Sequence, residues 1–132
     1  APHTGDRVWR DAFERVVPTV LERFRPEALV LQCGADAHFG DPLAHLRLTS
    51  RTWIAAVERL LEIGRGLPVV VTGGGGYNLE TVERLWTMVA LACAGLPVPE
   101  ELHDRDTPPP VPAETEAATV AYARAQLAEL GL

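Results

Sequence analysis

The chain contains no lysine, and its 12 basic residues are arginines scattered among 18 acids. With a formal charge of −6 it lacks the clustered basic face that neutralises phosphates, which excludes nucleic acid as an expected partner. Cysteine is scarce. Cys33 and Cys93 both lie in apolar runs, too few for a disulfide framework or a zinc knuckle, and both are expected to be buried free thiols in a reducing cytoplasm. No apolar stretch reaches the roughly 20 residues of a membrane span, and no signal peptide is visible. No membrane partner is therefore expected. Aromatic residues are also few, and Trp9, Trp53 and Trp86 fall at apolar positions of helical segments, where core packing is the expectation. The opening Ala1-Pro2-His3-Thr4-Gly5 reads as the middle of something longer.

What is present is enough for one domain with a modest core: 132 residues, 47% of them hydrophobic. Apolar residues recur at helical spacing from Val8 to Phe24, with Thr4 or Asp6 as the expected cap and Pro26 as the stop. Residues 28–33 and 68–72 are short, continuous apolar runs that read as strands. Between them, Trp53, Ile54, Val57, Leu60 and Leu61 share one helical face, opened by Thr49 or Ser50 and stopped by Gly64 and Gly66. Asn78 caps a third helix that closes at Gly95 and Pro97. The Asp- and Pro-rich residues 104–112 read as a linker between a main unit, 1–103, and a final helical segment, 113–132. Helix, strand, helix, strand, helix is a βαβ order, so the expected class is α/β with parallel strands and helices on both faces. Two strands alone would leave both sheet edges unpaired.

The chemistry gathers after the two strands. Gly73-Gly74-Gly75-Gly76 follows the second strand, and such a run is kept where something must approach the backbone closely or where a Cβ is forbidden. It lacks the Lys and Ser/Thr of a phosphate-binding loop. Tyr77 comes next, and a phenol stays protonated at neutral pH and can donate to a developing oxyanion. Packing beside a glycine turn is the alternative. Asp36 stands where Gly34 breaks the first strand, with a second acid at Asp41. It could bind a metal, orient a histidine, act as a base, or simply cap a turn. His38 shares a triplet with Asp36 but reads as a solvent-facing loop histidine, and His3, His45 and His103 read as surface residues.

Taken together, Leu31-Gln32-Cys33-Gly34-Ala35-Asp36, Gly40-Asp41-Pro42-Leu43 and Gly73-Gly74-Gly75-Gly76-Tyr77-Asn78 resemble the histone deacetylase family, closest to its class I members and bacterial acetoin-utilisation relatives. The resemblance runs from about Gly5 to Glu101. It implies the C-terminal part of an arginase–deacetylase fold, whose large parallel sheet has helices on both faces. It also implies zinc-dependent hydrolysis of an acetylated lysine, or of an acetylated small amine. By the resemblance, Asp36 corresponds to a zinc ligand and Tyr77 to the donor to the amide carbonyl. Gly75 and Gly76 correspond to the wall of the acyl-lysine tunnel, and Leu43 to its mouth. His38 falls where the family varies. The family's tandem histidines, and its Asp-x-His zinc ligands, precede this region and have no counterpart here. An upstream segment of the same enzyme is therefore expected to complete the site. The alternative is a catalytically inactive module of the same fold that binds a partner.

Overall fold

A computed structural model describes residues 2–129 and 131. The elements run α1 (Asp6–Phe24), β1 (Leu29–Gln32), α2 (Ser50–Ile63), β2 (Val69–Thr72), α3 (Leu79–Cys93), a short 3-10 turn (Glu100–Leu102) and α4 (Ala113–Glu129). β1 and β2 pair in parallel, with Leu29 beside Val69 and Gln32 beside Thr72. A parallel pair needs a long crossover, which α2 supplies.

The helix boundaries follow local chemistry. Thr49 caps α2 by accepting from the Thr52 N–H, and Asn78 caps α3 by accepting from the Thr81 N–H. α1 departs from expectation: its N-cap is Gly5, with no side-chain cap bond. Asp6 instead reaches across the chain, accepting the Thr49 N–H and hydroxyl at 2.8 Å each. It thereby ties the start of α2 to α1. α1 ends at Arg25, in left-handed conformation just before Pro26.

The core lies on one side of the sheet. Leu29, Leu31 and Cys33 pack with Trp53, Ile54 and Val57 of α2 and with Leu85, Met88 and Val89 of α3. On the other face Val30 is 72% and Val70 56% exposed. The expectation of helices on both faces is thus corrected for the described residues. The chain is α/β with a small parallel sheet; α2 and α3 pack on the same side of it, and Leu21 of α1 reaches the same core. Among the tryptophans only Trp53 is core. Trp86 is 43% exposed and lies over Gly73, while Trp9 is half-buried and stacks on Phe13. Cys33 is buried and burial pushes its thiol pKa up, but Cys93 is exposed, contrary to expectation.

The stretch read as a linker is held at both ends. Asp104 is buried between α2 and α3, and Arg47 donates to the carbonyls of Pro109 and Pro110. α4 then docks on α1, burying Leu127 and Thr119 and pairing Glu116 with Arg7. Residues 130 and 132, within the segment expected to be helical, lie outside the described residues.

Candidate functional site

The two strands end side by side, so the loops that follow them meet. The Cys33 N–H donates to the Thr72 carbonyl at 2.8 Å, and the Ala35 N–H to the Gly75 carbonyl at 2.6 Å. This zip continues the ladder past the strands and brings Asp36 against the glycine run. A methyl group placed on Gly75 would lie 2.0 Å from Asp36 Oδ2 and 2.6 Å from its Cγ. The space a side chain would occupy at 75 is filled by the Asp36 carboxylate. Gly76 has φ +144°, and a Cβ there would meet Val82 at 2.6 Å and Ala35 at 3.1 Å. At Gly75 a side chain would displace the Asp36 carboxylate, and at Gly76 the torsion as well as the close contacts call for glycine.

Tyr77 follows with 57% of its surface exposed. Its backbone N–H donates to Asp41 Oδ2 at 2.8 Å, and the neighbouring Asn78 amide donates to the Gly40 carbonyl at 3.1 Å. The other oxygen of Asp41 accepts the N–H groups of Leu43 and Ala44 at 2.9 Å each. Slight burial would raise the Asp41 pKa, but the donors from Ala44, Tyr77 and Leu43 outweigh it and hold it below its ordinary value. Asp41 is thus the hinge pin between the two loops. Leu43, the residue expected at a tunnel mouth, is 61% exposed on the turn that Asp41 folds.

His38 is where sequence reasoning failed. It is not a solvent-facing residue but 2% exposed, with its Nε2 2.8 Å from Asp104 Oδ1. Its Nδ1 accepts the Gly40 N–H at 3.0 Å. Arg84 donates to the same Asp104 oxygen at 3.0 Å, and the Ser50 N–H donates to the other at 2.6 Å. Burial would raise the Asp104 pKa, but the hydrogen bonds from His38, Ser50 and Arg84 overcome it and hold the carboxyl well below the usual range. His103 is half-buried beside Ser50 Oγ, rather than at the surface. No local pattern announces this cluster, because 66 residues separate His38 from Asp104.

The cavity of about 360 Å³ lined by His38, Asn78, Arg84 and Asp104 includes neither Asp36 nor Tyr77. Among the described residues no three His, Cys, Asp or Glu side chains converge as a metal site. A carboxylate suits zinc as one ligand, but a catalytic zinc site takes three protein ligands and a water, so Asp36 fits as a share of such a site and not as the whole. No helix among the described residues is long and apolar enough to cross a membrane.

The family model described as histone deacetylase domain matches residues 1–93. Similar curated proteins include probable histone deacetylase 1-B of Xenopus laevis, 37% identical over 101 residues, covering 76% of this chain and 21% of that protein. Putative histone deacetylase 2 of Caenorhabditis elegans is 37% identical over 97 residues, covering 74% of this chain and 19% of the relative. Histone deacetylase 1 of Homo sapiens is 36% identical over 101 residues, 76% of this chain and 20% of that protein. The chain spans about a fifth of the length of the curated relatives it matches.

Proposed function

The chain belongs to the histone deacetylase family, and from that premise we propose that it is the C-terminal portion of a zinc-dependent deacetylase acting on acetyl-lysine or a related acetylated amine. The observation that carries this reading is the Asp36 carboxylate lodged in the space a side chain at Gly75 would fill, two residues before an exposed tyrosine. This arrangement sets a carboxylate and a phenol at the carboxyl ends of adjacent parallel strands, where open α/β sheets build their sites.

In this reading Asp36 contributes one zinc ligand, and the remaining ligands and the general base come from an upstream segment of the same enzyme. Zinc, when bound, supplies Lewis-acid polarisation of the acetyl carbonyl and of a water. The work of this chain's own residues is distinct. Tyr77 directs its hydroxyl hydrogen at the carbonyl oxygen and shares the negative charge that builds there as water adds. Gly75 and Gly76 let the acyl-lysine stem pass close to bare backbone, and Leu43 offers an apolar contact at the entrance. The general base of the upstream segment would take a proton from the attacking water and return it to the departing nitrogen, so that collapse of the adduct breaks the C–N bond and releases acetate and the amine.

The test is Tyr77→Phe in the intact enzyme, assayed with an acetyl-lysine peptide. Because the hydroxyl acts mainly on the oxyanion, turnover should fall about a hundredfold or more while KM changes by no more than about threefold. Near-normal turnover reduces Tyr77 to a packing residue. A wild-type protein with no activity on acetyl-lysine or acetylpolyamine substrates leaves the inactive, partner-binding module as the reading that stands.

A further inference from the structure

Tyr77 has a positioning problem. Four glycines precede it, and glycine is the residue least able to hold a backbone in one place. Its side chain is more than half exposed, so packing does not fix it either. The backbone behind it is pinned at Gly75 by the Ala35 N–H, and Asn78 after it caps α3; Tyr77 itself is tied sideways by the contacts to the Gly40-Asp41 turn, from Tyr77 N–H to Asp41 and from Asn78 to the Gly40 carbonyl. That turn contains a glycine of its own, so it needs an anchor. Gly40 N–H finds one in His38 Nδ1.

We propose that the buried His38–Asp104–Arg84 cluster is a brace that sets the position of Tyr77, making His38 a positioning residue for the deacetylation step. This rests on the reading of Tyr77 given above. The hydrogen bonds assign the imidazole's tautomer. Nδ1 accepts an N–H and is bare, so Nε2 bears the proton and donates it to Asp104 Oδ1. The ring is thereby a rigid two-ended strut. At one end is a turn that carries Asp41. At the other is a carboxylate bound to two helices at once, through the Ser50 N–H at the start of α2 and the Arg84 guanidinium on α3. The Asp104 N–H returns to Ser50 Oγ at 3.0 Å, and Arg84 donates to the Leu102 carbonyl at 2.7 Å. The path from the helical core to Tyr77 is thus continuous in hydrogen bonds. Burying a histidine and an aspartate is unfavourable unless every polar atom is satisfied, and no buried side-chain polar atom among the described residues lacks a partner.

Two substitutions cut the strut at different ends. His38→Asn keeps an acceptor near the Nδ1 position for Gly40 but is too short for Asp104. His38→Gln keeps a donor near the Nε2 position for Asp104 but leaves the Gly40 N–H unpaired. In the intact enzyme each should lower kcat by about ten- to a hundredfold, because misplacing a reacting group by an ångström has effects of that order. KM should stay within about twofold, since Tyr77 acts in the transition state and not in binding. A second readout does not depend on activity. In the metal-free intact protein, amide exchange should quicken at Asp41, Leu43, Ala44 and Tyr77 in both variants, and stay slow in β1 and α2. Normal kcat in either variant overturns the brace, because each cut alone disconnects it. Parallel losses in kcat and KM, with faster exchange in β1, would also overturn it, as that is the signature of a general loss of structure. If wild-type protein shows no deacetylase activity, the functional reading fails, and the exchange result alone then decides whether the brace holds Tyr77.

Discussion

Gly75→Ala adds a single methyl group to the chain, and the structure says where the consequence falls. The new Cβ would lie 2.0 Å from Asp36 Oδ2, 2.6 Å from its Cγ and 3.3 Å from its Cβ. To reach an ordinary 3.4 Å contact, the carboxylate oxygen must move by at least 1.4 Å. The backbone at 75 cannot back away without breaking the 2.6 Å bond from the Ala35 N–H to the Gly75 carbonyl. Gly75 has no left-handed torsion, so alanine brings no backbone strain there. Asp36 yields instead, by rotating about its own side-chain bonds. Such overpacking costs about 1–3 kcal/mol of stability, at the lower end where a side chain can rotate aside. The functional loss is larger: a displacement of that size at a proposed metal ligand should lower turnover by about a hundredfold and weaken zinc retention. The assay is paired. Thermal unfolding of the intact enzyme reports the stability change, while metal content after competition with a chelator and deacetylation of an acetyl-lysine peptide report the site. Wild-type zinc retention and turnover in Gly75→Ala would refute the reasoning, because the methyl would then have found room without moving Asp36.

Three further outcomes follow from packing and charge. Asp104→Ala should cost about 3 kcal/mol or more, since it strands Arg84, His38 and the Ser50 N–H in a buried place; urea unfolding of the intact protein measures it. Because the Asp104 carboxyl is held below its unfolded value, the stability it contributes is complete above about pH 4. It declines as pH falls below that and is gone once pH passes the folded value, so wild type should lose stability more steeply on acidification than Asp104→Ala; equal acid slopes would contradict this. Residues 1–132 expressed alone should self-associate or be molten, and lack deacetylase activity, because Val30 and Val70 form an open apolar face on a sheet that, among the described residues, has two strands and no partner at either edge. Gel filtration with light scattering and amide exchange checks it, and a monodisperse monomer with slow exchange in both strands would refute it.

Much of this architecture is local in origin. The apolar runs at 28–33 and 68–72, the caps Thr49 and Asn78, and the stop at Gly64 are each decided by residues within one turn of chain, and the strands, α2 and α3 begin and end within a residue or two of where those signals put them. The motifs around Asp36 and Tyr77 were equally legible, because a glycine run after a strand has few physical uses and the family pattern is contiguous. What no local pattern could announce is anything built from residues far apart in sequence. The local pattern offers Thr4 or Asp6 as the cap of α1, yet Gly5 takes that place and Asp6 accepts from Thr49, 43 positions away. The apolar strands were expected to be covered on both faces, but only where α2 and α3 pack tells which face is closed. His38 read as a surface residue because its neighbours are loop-forming, and only the fold brings Asp104, Arg84 and Ser50 around it. Short-range signals determine which torsions a segment adopts. Burial and long-range hydrogen bonds exist only once segments have met, as the bond from the Tyr77 N–H to Asp41, 36 positions away, illustrates.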